Sequence, residues 1–573
     1  MLNLLNRNKH YFYFLLILIL ALVLRLYNIN WDQNHHFHPD ERAIVMFTIP
    51  LSFPTTLSEF LSIQSSWNPH FFAYGSFPLY FLKIAGNIAA LINPIFTSYD
   101  VINLIGRVFS AFFDTGTIII LFFLGKKLFN TKVALLASFF YTVSVLPIQL
   151  SHFFAVDTFL TFFILLTQYL LLRFYERPTL TKALLVGVSF GLSLATKISA
   201  VVLVISIGSA IAFDFLLVFV KNPLRLQIWF PHLPKFLKNL FVSGVIITFI
   251  TTMTFIIVEP YSLIDFKTFL SHNQQQSQMT RDAFTFPYTL QYVGKIDYWY
   301  EIKNIFLWGQ GPILAMLSFL GTLYFTFTTF KKEKKDQWAK EIILMTFFWA
   351  YFFVVGHFAI GFMRYLLPLY PLLCLFAAAF FWRILTLIPQ QFRILLTIIY
   401  LLLTLIWPVS FMHIYHFPQT RITASDWIHK NIADNSTLAV EHWDDRLPLT
   451  DSERYRFVEM TLYEQPDDNR KWAILNQKLG QTDYIILASN RLYIPLPKLG
   501  DCLKYKLCYP KVAEYYKKLF EGTLGFQKVA EFTSFPTIPL LNIPIDDQAA
   551  DESFTVYDHP KVMIFRNVSK LSQ

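Results

Sequence analysis

Charge is scarce in this chain. Of its 573 residues only 15% are Asp, Glu, Lys or Arg, where a soluble domain carries about a quarter. A free-standing soluble enzyme is excluded on that ground. Cysteine is scarcer still, with three in all. No two of them have zinc-ligand spacing, and no glycine-rich phosphate loop is present, which argues against a cytoplasmic nucleotide site. Nor is there an internal repeat, inverted or parallel, of the kind many secondary transporters carry.

What fills the chain is apolar. Hydrophobic residues make up 55% and Phe alone occurs 62 times, the composition of a polytopic α-helical membrane protein. The first apolar run follows Arg7 and Lys9 without a small-residue cleavage site and reads as a retained signal anchor. About 20 apolar residues suffice to cross a bilayer. Spans are expected at 11–28, 102–124, 133–150, 156–173, 183–198, 199–220, 239–258, 305–329, 341–358, 365–385 and 393–413. With the N-terminus inside, the inner loops gather Lys126, Lys127 and Lys132, then Arg173, Arg177 and Lys182, then Lys331, Lys332, Lys334, Lys335 and Lys340. The outer loops hold isolated cations, and this bias sets the orientation. The formal net charge of +10 therefore calls for no nucleic acid. Residues 71–92 are apolar enough to span, but a crossing there would invert every later loop. They are expected to lie in the outer interface or to re-enter the bundle.

About eleven crossings over residues 1–415 leave the C-terminus outside, with juxtamembrane outer loops at 30–100 and 259–304. The second of these is long and polar, and a mobile lid is one reading of it. From about Thr420 the composition becomes that of a soluble domain. Strands are expected at 436–441, 483–488 and 562–565, helices near 471–479 and 515–520, and a hairpin over 554–566 turning at Asp558. Residues 420–573 thus read as an extracytoplasmic α/β domain. There Cys502 and Cys508 could pair in an oxidising compartment. Cys374, inside a span, reads as packing.

Polar groups collect at the outer end of the spans. His38-Pro39-Asp40-Glu41 follows the first span, Arg107 opens the second, and His152 and Asp157 flank the loop between the third and fourth. Lys197 ends the fifth, and Arg364-Tyr365 precede the tenth. Ionisable residues at such depth mark sites more often than packing. Carboxylates beside Lys and Arg at headgroup level suit a phosphate-bearing lipid and a hydroxyl to be activated.

Asp40-Glu41, His152 to Asp157, Lys197 and Met363-Arg-Tyr-Leu-Leu-Pro-Leu-Tyr-Pro resemble the GT-C superfamily over about residues 10–415. The branch they are most similar to is the phospholipid-carrier-dependent glycosyltransferases, which include protein O-mannosyltransferases and lipid A aminoarabinose transferases. The resemblance implies transfer of a sugar, usually with inversion, from a polyprenyl- or dolichyl-phosphate donor to a glycan, lipid or protein acceptor on the outer side. It implies Asp40 as general base or acceptor-positioning carboxylate, supported by Glu41. Arg364, with Lys197 and Tyr365, would bind the donor phosphate, and His152, Asp157, Arg107 and His38 would contact substrate. Some relatives use a divalent metal near the acidic pair, and no ligand set is evident in this sequence. The alternative is a lipid-linked sugar flippase or transporter, which would want polar residues through the midplane. The spans are mostly Leu, Ile and Phe, with Asp114 and Asp214 as exceptions.

Overall fold

In a computed structural model, residues 2–221, 225–329 and 335–570 are described. Among them nine helices are long and apolar enough to cross a membrane. Two further expected crossings take other forms. The run at 133–150 is broken into Thr131–Thr142 and Val145–Ser151, bent by 58°. Pro147 explains the break, since it lacks an N–H and its ring clashes with the carbonyl four residues earlier, at Val143. The other is Leu180–Thr196, a 17-residue helix that stops where Lys197 turns extended. Residues 71–92 contain the helix Phe77–Ala89. At 1.5 Å per residue its 13 residues reach about 20 Å, short of a crossing.

The two ends of the bundle differ chemically. At one end Lys127 and Lys340 both pair with Glu176, and Lys132 lies over the Trp382 ring. At the other end are Asp40, Lys197, Arg364 and a sheet-bearing unit. Between them the one deep charged group noted in the second span is neutralised locally. Arg25 Nε meets Asp114 at 2.5 Å and Tyr141 donates to the same carboxylate at 2.6 Å, all buried.

Beyond the helix Gln390–Met412 the chain forms a five-stranded sheet, ordered β2-β1-β3-β7-β4. Its strands are β1 (Thr437–Glu441), β2 (Arg456–Met460), β3 (Tyr484–Leu487), β4 (Phe526–Phe532) and β7 (Val562–Asn567). β1 runs parallel to β2 and β3, while β7 is antiparallel to β3 and β4. Helices Asn469–Gln481 and Pro510–Phe520 lie in the crossovers, the first opened by Asp468, which accepts from the Arg470 and Lys471 N–H groups. A separate hairpin pairs β5 (Thr537–Ile538) with β6 (Ile543–Pro544). Cys502 and Cys508 are disulfide-bonded.

The hairpin expected over 554–566 does not form. Residues Glu552–Thr555 are helical, and the turn that follows is drawn into the bundle. His559 is gripped by Asp558 at 2.5 Å and Asp547 at 2.7 Å, and Asp558 in turn accepts from Tyr415 and Gln149. Polar groups so buried must be satisfied, and Asp558 finds two of its partners, Gln149 and Tyr415, in the bundle rather than along a neighbouring strand.

Candidate functional site

His38-Pro39-Asp40-Glu41 starts the helix Pro39–Thr48. His38 caps it by accepting from the Glu41 N–H, and Pro39 takes the first helical position, where a missing N–H costs nothing. The two carboxylates occupy the first turn, favoured by the helix dipole. Adjacent helical residues point about 100° apart, so Asp40 and Glu41 diverge.

Glu41 turns inward. Its two oxygens accept from Arg107 at 2.8 and 3.0 Å, and the same guanidinium holds both oxygens of Asp32 at 2.9 and 2.7 Å. All three side chains are wholly enclosed. Two carboxylates thus share one cation. Burial pushes Glu41 up to about 7 against the pull of Arg107. Burial acts the same way on Asp32, but Arg107 outweighs it and holds that carboxyl below the usual range.

Asp40 turns the other way and forms an ion pair with Arg364, retaining 18% exposure. Burial raises its proton affinity, yet Arg364 outweighs this and holds the carboxyl below the ordinary range, helped by a hydrogen bond from Tyr74. Arg364 Nε lies 3.9 Å from Asp157, which also accepts from Lys197 Nζ at 3.0 Å. The Lys197 ammonium sits 4.4 Å over the Tyr365 ring. Two cations and two carboxylates from four distant segments therefore meet in one layer.

Local sequence explains how they are held. Asp157 opens the helix Asp157–Glu176, and Lys197 is released into extended backbone as its helix ends. Gly75 donates to the Thr196 carbonyl at 3.1 Å, and a Cβ there would fall 1.8 Å from the Ala195 oxygen. Only glycine permits this approach, which fixes Tyr74 between Lys197 and Asp40.

Beside this layer is a cavity of about 1320 Å³. Tyr74, Lys197 and Tyr365 form its inner end, and Asn273, Gln276 and Arg281 of the helix Phe266–Arg281 contribute a polar wall. Its flank is Ile198, Val201, Phe353 and Val354, each roughly half exposed on the outside of two membrane helices. The cavity thus opens sideways, where lipid would lie. The long loop at 259–304 contributes an ordered helix here rather than a plain connector.

Of the residues singled out in the sequence, Asp40, Arg364, Asp157, Lys197 and Tyr365 come together. Of these, Lys197 and Tyr365 line the cavity, with Asp40, Arg364 and Asp157 behind them, while Glu41, Arg107 and His152 lie apart from the cluster. His152 is enclosed, with its ring nitrogens on the Ile148 and Tyr27 carbonyls at 2.9 and 3.0 Å and its face on Tyr415. His38 lies between, its ring 4.3 Å from that of Tyr557, which the sheet-bearing unit inserts beside Arg364. Tyr74 belongs to the aromatic stretch Trp67 to Tyr80, whose sequence suits either a cleft wall or an interfacial anchor, and it lines the cavity. Tyr557 escaped the sequence reading, for nothing local marks it. No three His, Cys, Asp or Glu side chains gather as a metal would need among the described residues.

Known proteins bear on this arrangement. A family model, dolichyl-phosphate-mannose-protein mannosyltransferase, matches residues 86–247, which include Asp157 and Lys197. The apo oligosaccharyltransferase of Archaeoglobus fulgidus aligns at a TM-score of 0.50 and 13% identity, covering 94% of this chain and 75% of that one. The chain has a GT-C fold. Two further solved structures are similar at lower scores. ArnT of Cupriavidus metallidurans, bound to undecaprenyl phosphate, gives a TM-score of 0.42 at 11% identity, with 73% of this chain and 72% of that one covered. The S. cerevisiae protein O-mannosyltransferase complex bound to its sugar donor gives 0.31 at 14%, with 46% and 34% covered. No curated protein matches by sequence. On the GT-C fold described here, the Asp40–Arg364 layer sits where the bundle meets the sheet-bearing unit.

Proposed function

We propose that this protein is a membrane glycosyltransferase, moving a sugar from a polyprenyl- or dolichyl-phosphate donor to a glycan, lipid or protein acceptor. Residues 1–415 are the catalytic unit and 420–573 an accessory domain, with the N-terminus cytoplasmic and the accessory domain outside. The observation that carries the reading is the cluster of Asp40, Arg364, Asp157 and Lys197, which meets a large cavity through Lys197, with Tyr74 and Tyr365 beside it. A lipid tail fits the apolar flank, and its phosphate reaches Lys197 and Arg364.

A phosphate at Arg364 competes with Asp40 for the same guanidinium. Once the fork is taken, Asp40 loses the charge that depressed its proton affinity and becomes a better base. The bond between the anomeric carbon and the phosphate oxygen then breaks, with its electrons leaving on phosphate. Fixed cations in a poorly solvated cleft stabilise that charge. The anomeric carbon bonds to the acceptor oxygen, whose proton passes to Asp40. Attack from the face opposite the phosphate gives inversion.

The deciding experiment incubates purified protein in lipid nanodiscs with radiolabelled polyprenyl-phosphate sugar and a mixed pool of envelope acceptors. A new glycosidic product is expected. Donor movement across the bilayer with no new bond would instead establish the flippase reading.

A further inference from the structure

We infer that the β5–β6 hairpin is a lipid-docking element, by which the outer domain rests its own apolar tip in the membrane beside the last span. This rests on the helix Gln390–Met412 crossing a bilayer and not on any glycosyl transfer.

The hairpin is chemically unlike the rest of its domain. From Phe535 to Ile545 the sequence reads Phe-Pro-Thr-Ile-Pro-Leu-Leu-Asn-Ile-Pro-Ile, without one charge, before Asp546 and Asp547 resume the soluble pattern. At its tip Leu540 is 100% exposed, Leu541 67% and Ile543 49%. Isolated exposed aliphatic side chains are ordinary, but two leucines and an isoleucine on one short turn form a patch that needs a partner. The backbone is bent to present them. Leu540 has φ +67° and Asn542 φ +51°, a left-handed conformation that bulky side chains rarely adopt. Strain of this kind persists where the surroundings or a function require it.

Position identifies the partner. β5 packs on the helix Gln390–Met412, and the preceding Phe535 backbone lies against the ring of His413, just past the outer end of that helix. The chain therefore descends along the span from its outer end. The same helix exposes Leu402, Leu403, Ile406 and Val409, at 59, 41, 40 and 42%. The hairpin tip continues that lipid-facing surface. Its composition suits the interface: Pro536, Pro539 and Pro544 carry no N–H, so fewer backbone donors lose water on entry.

The consequence reaches the site. Directly after the hairpin come Asp547, the buried His559 clasp and Tyr557, whose ring packs on His38. A tip held by lipid fixes the height of this segment over Asp40 and Arg364.

The test attaches a nitroxide to Leu540→Cys in the full-length protein in phosphatidylcholine nanodiscs. The native cysteines do not compete, since Cys374 is buried and Cys502 and Cys508 are bonded to each other. Leu403→Cys on the last span serves as the lipid reference. Glu514→Cys, on an exposed helix of the outer domain, serves as the aqueous one. Accessibility to oxygen is compared with accessibility to a water-soluble nickel chelate. Position 540 is expected to favour oxygen as position 403 does. Accessibility matching position 514 would overturn the inference, as would strong dipolar broadening between two copies, which would make the tip a dimer contact.

Discussion

Two arginine clusters lie side by side in this protein, and neighbouring residues feed them. Arg107 takes Glu41 and Asp32, while Arg364 takes Asp40 and, at longer range, Asp157. The chemistry is the same, but the surroundings are not. The Arg107, Asp32 and Glu41 side chains of the first cluster have no exposure and bond to one another, which suits holding structure. The second keeps 18% exposure at Asp40 and 15% at Lys197, and meets the large cavity at Lys197. A charged pair becomes a site when one side is left for a ligand. The helical offset between residues 40 and 41 decides which carboxylate that is.

If this contrast holds, the largest effect belongs to the enclosed cluster. Arg107→Met leaves two buried carboxylates sharing no cation, and removing one partner of a buried pair costs about 3–5 kcal/mol. The expected result is loss of monodisperse protein in detergent, measured by size-exclusion yield and thermal midpoint. A stable Arg107→Met protein that had lost only donor affinity would move Arg107 into the site.

Asp40→Asn should do the reverse. Losing a general base costs about 100-fold or more in turnover, with yield and thermal midpoint unchanged because the amide still fills the space beside Arg364. A transfer assay on equal amounts of folded protein reads it. Near-normal turnover would remove Asp40 from the mechanism. Next in size comes Arg364→Lys, where a point charge replaces a planar fork. Donor binding is expected to weaken about tenfold, equivalent to about 1.4 kcal/mol. Unchanged binding of the lipid-phosphate donor would leave the phosphate to Lys197.

The spans and the sheet-bearing C-terminal unit were legible because apolar runs and alternation are local patterns, and helix and strand obey them. The acidic pair was legible too, since charge at a span's outer end is rare. Its division was not, because which arginine each carboxylate meets depends on how the second and tenth spans pack. Arg107 looked like a substrate contact for the same reason: its position at a span's outer end says nothing of Asp32 folding over it. Tyr557 lies more than five hundred residues from His38 along the chain. No local pattern joins them; the segment is brought in by tertiary contacts, the Gln149 and Tyr415 hydrogen bonds to Asp558 and the Gln419 bond to the Tyr557 carbonyl among them.

That clasp gives the smallest effect and extends the comparison to a third buried charge cluster. Burial alone would lower the His559 imidazole, but Asp558 and Asp547 outweigh it and raise it to about 10. An unperturbed histidine titrates near 6.5, so the folded state holds this proton more tightly than the unfolded one. The stabilisation is therefore complete below about pH 6.5 and is lost as pH rises through about 10. Limited proteolysis of the outer domain in nanodiscs, at pH 7 and at pH 10, should show faster cleavage at the higher pH in the wild type. Lysines and tyrosines also titrate in that window, so the decisive quantity is the difference from His559→Gln. That variant should already be loosened at pH 7 and change less between the two. Equal pH dependence in both proteins would mean that His559 is neutral in the clasp, and that the domain is held to the bundle by the Gln149 and Tyr415 hydrogen bonds to Asp558 without it.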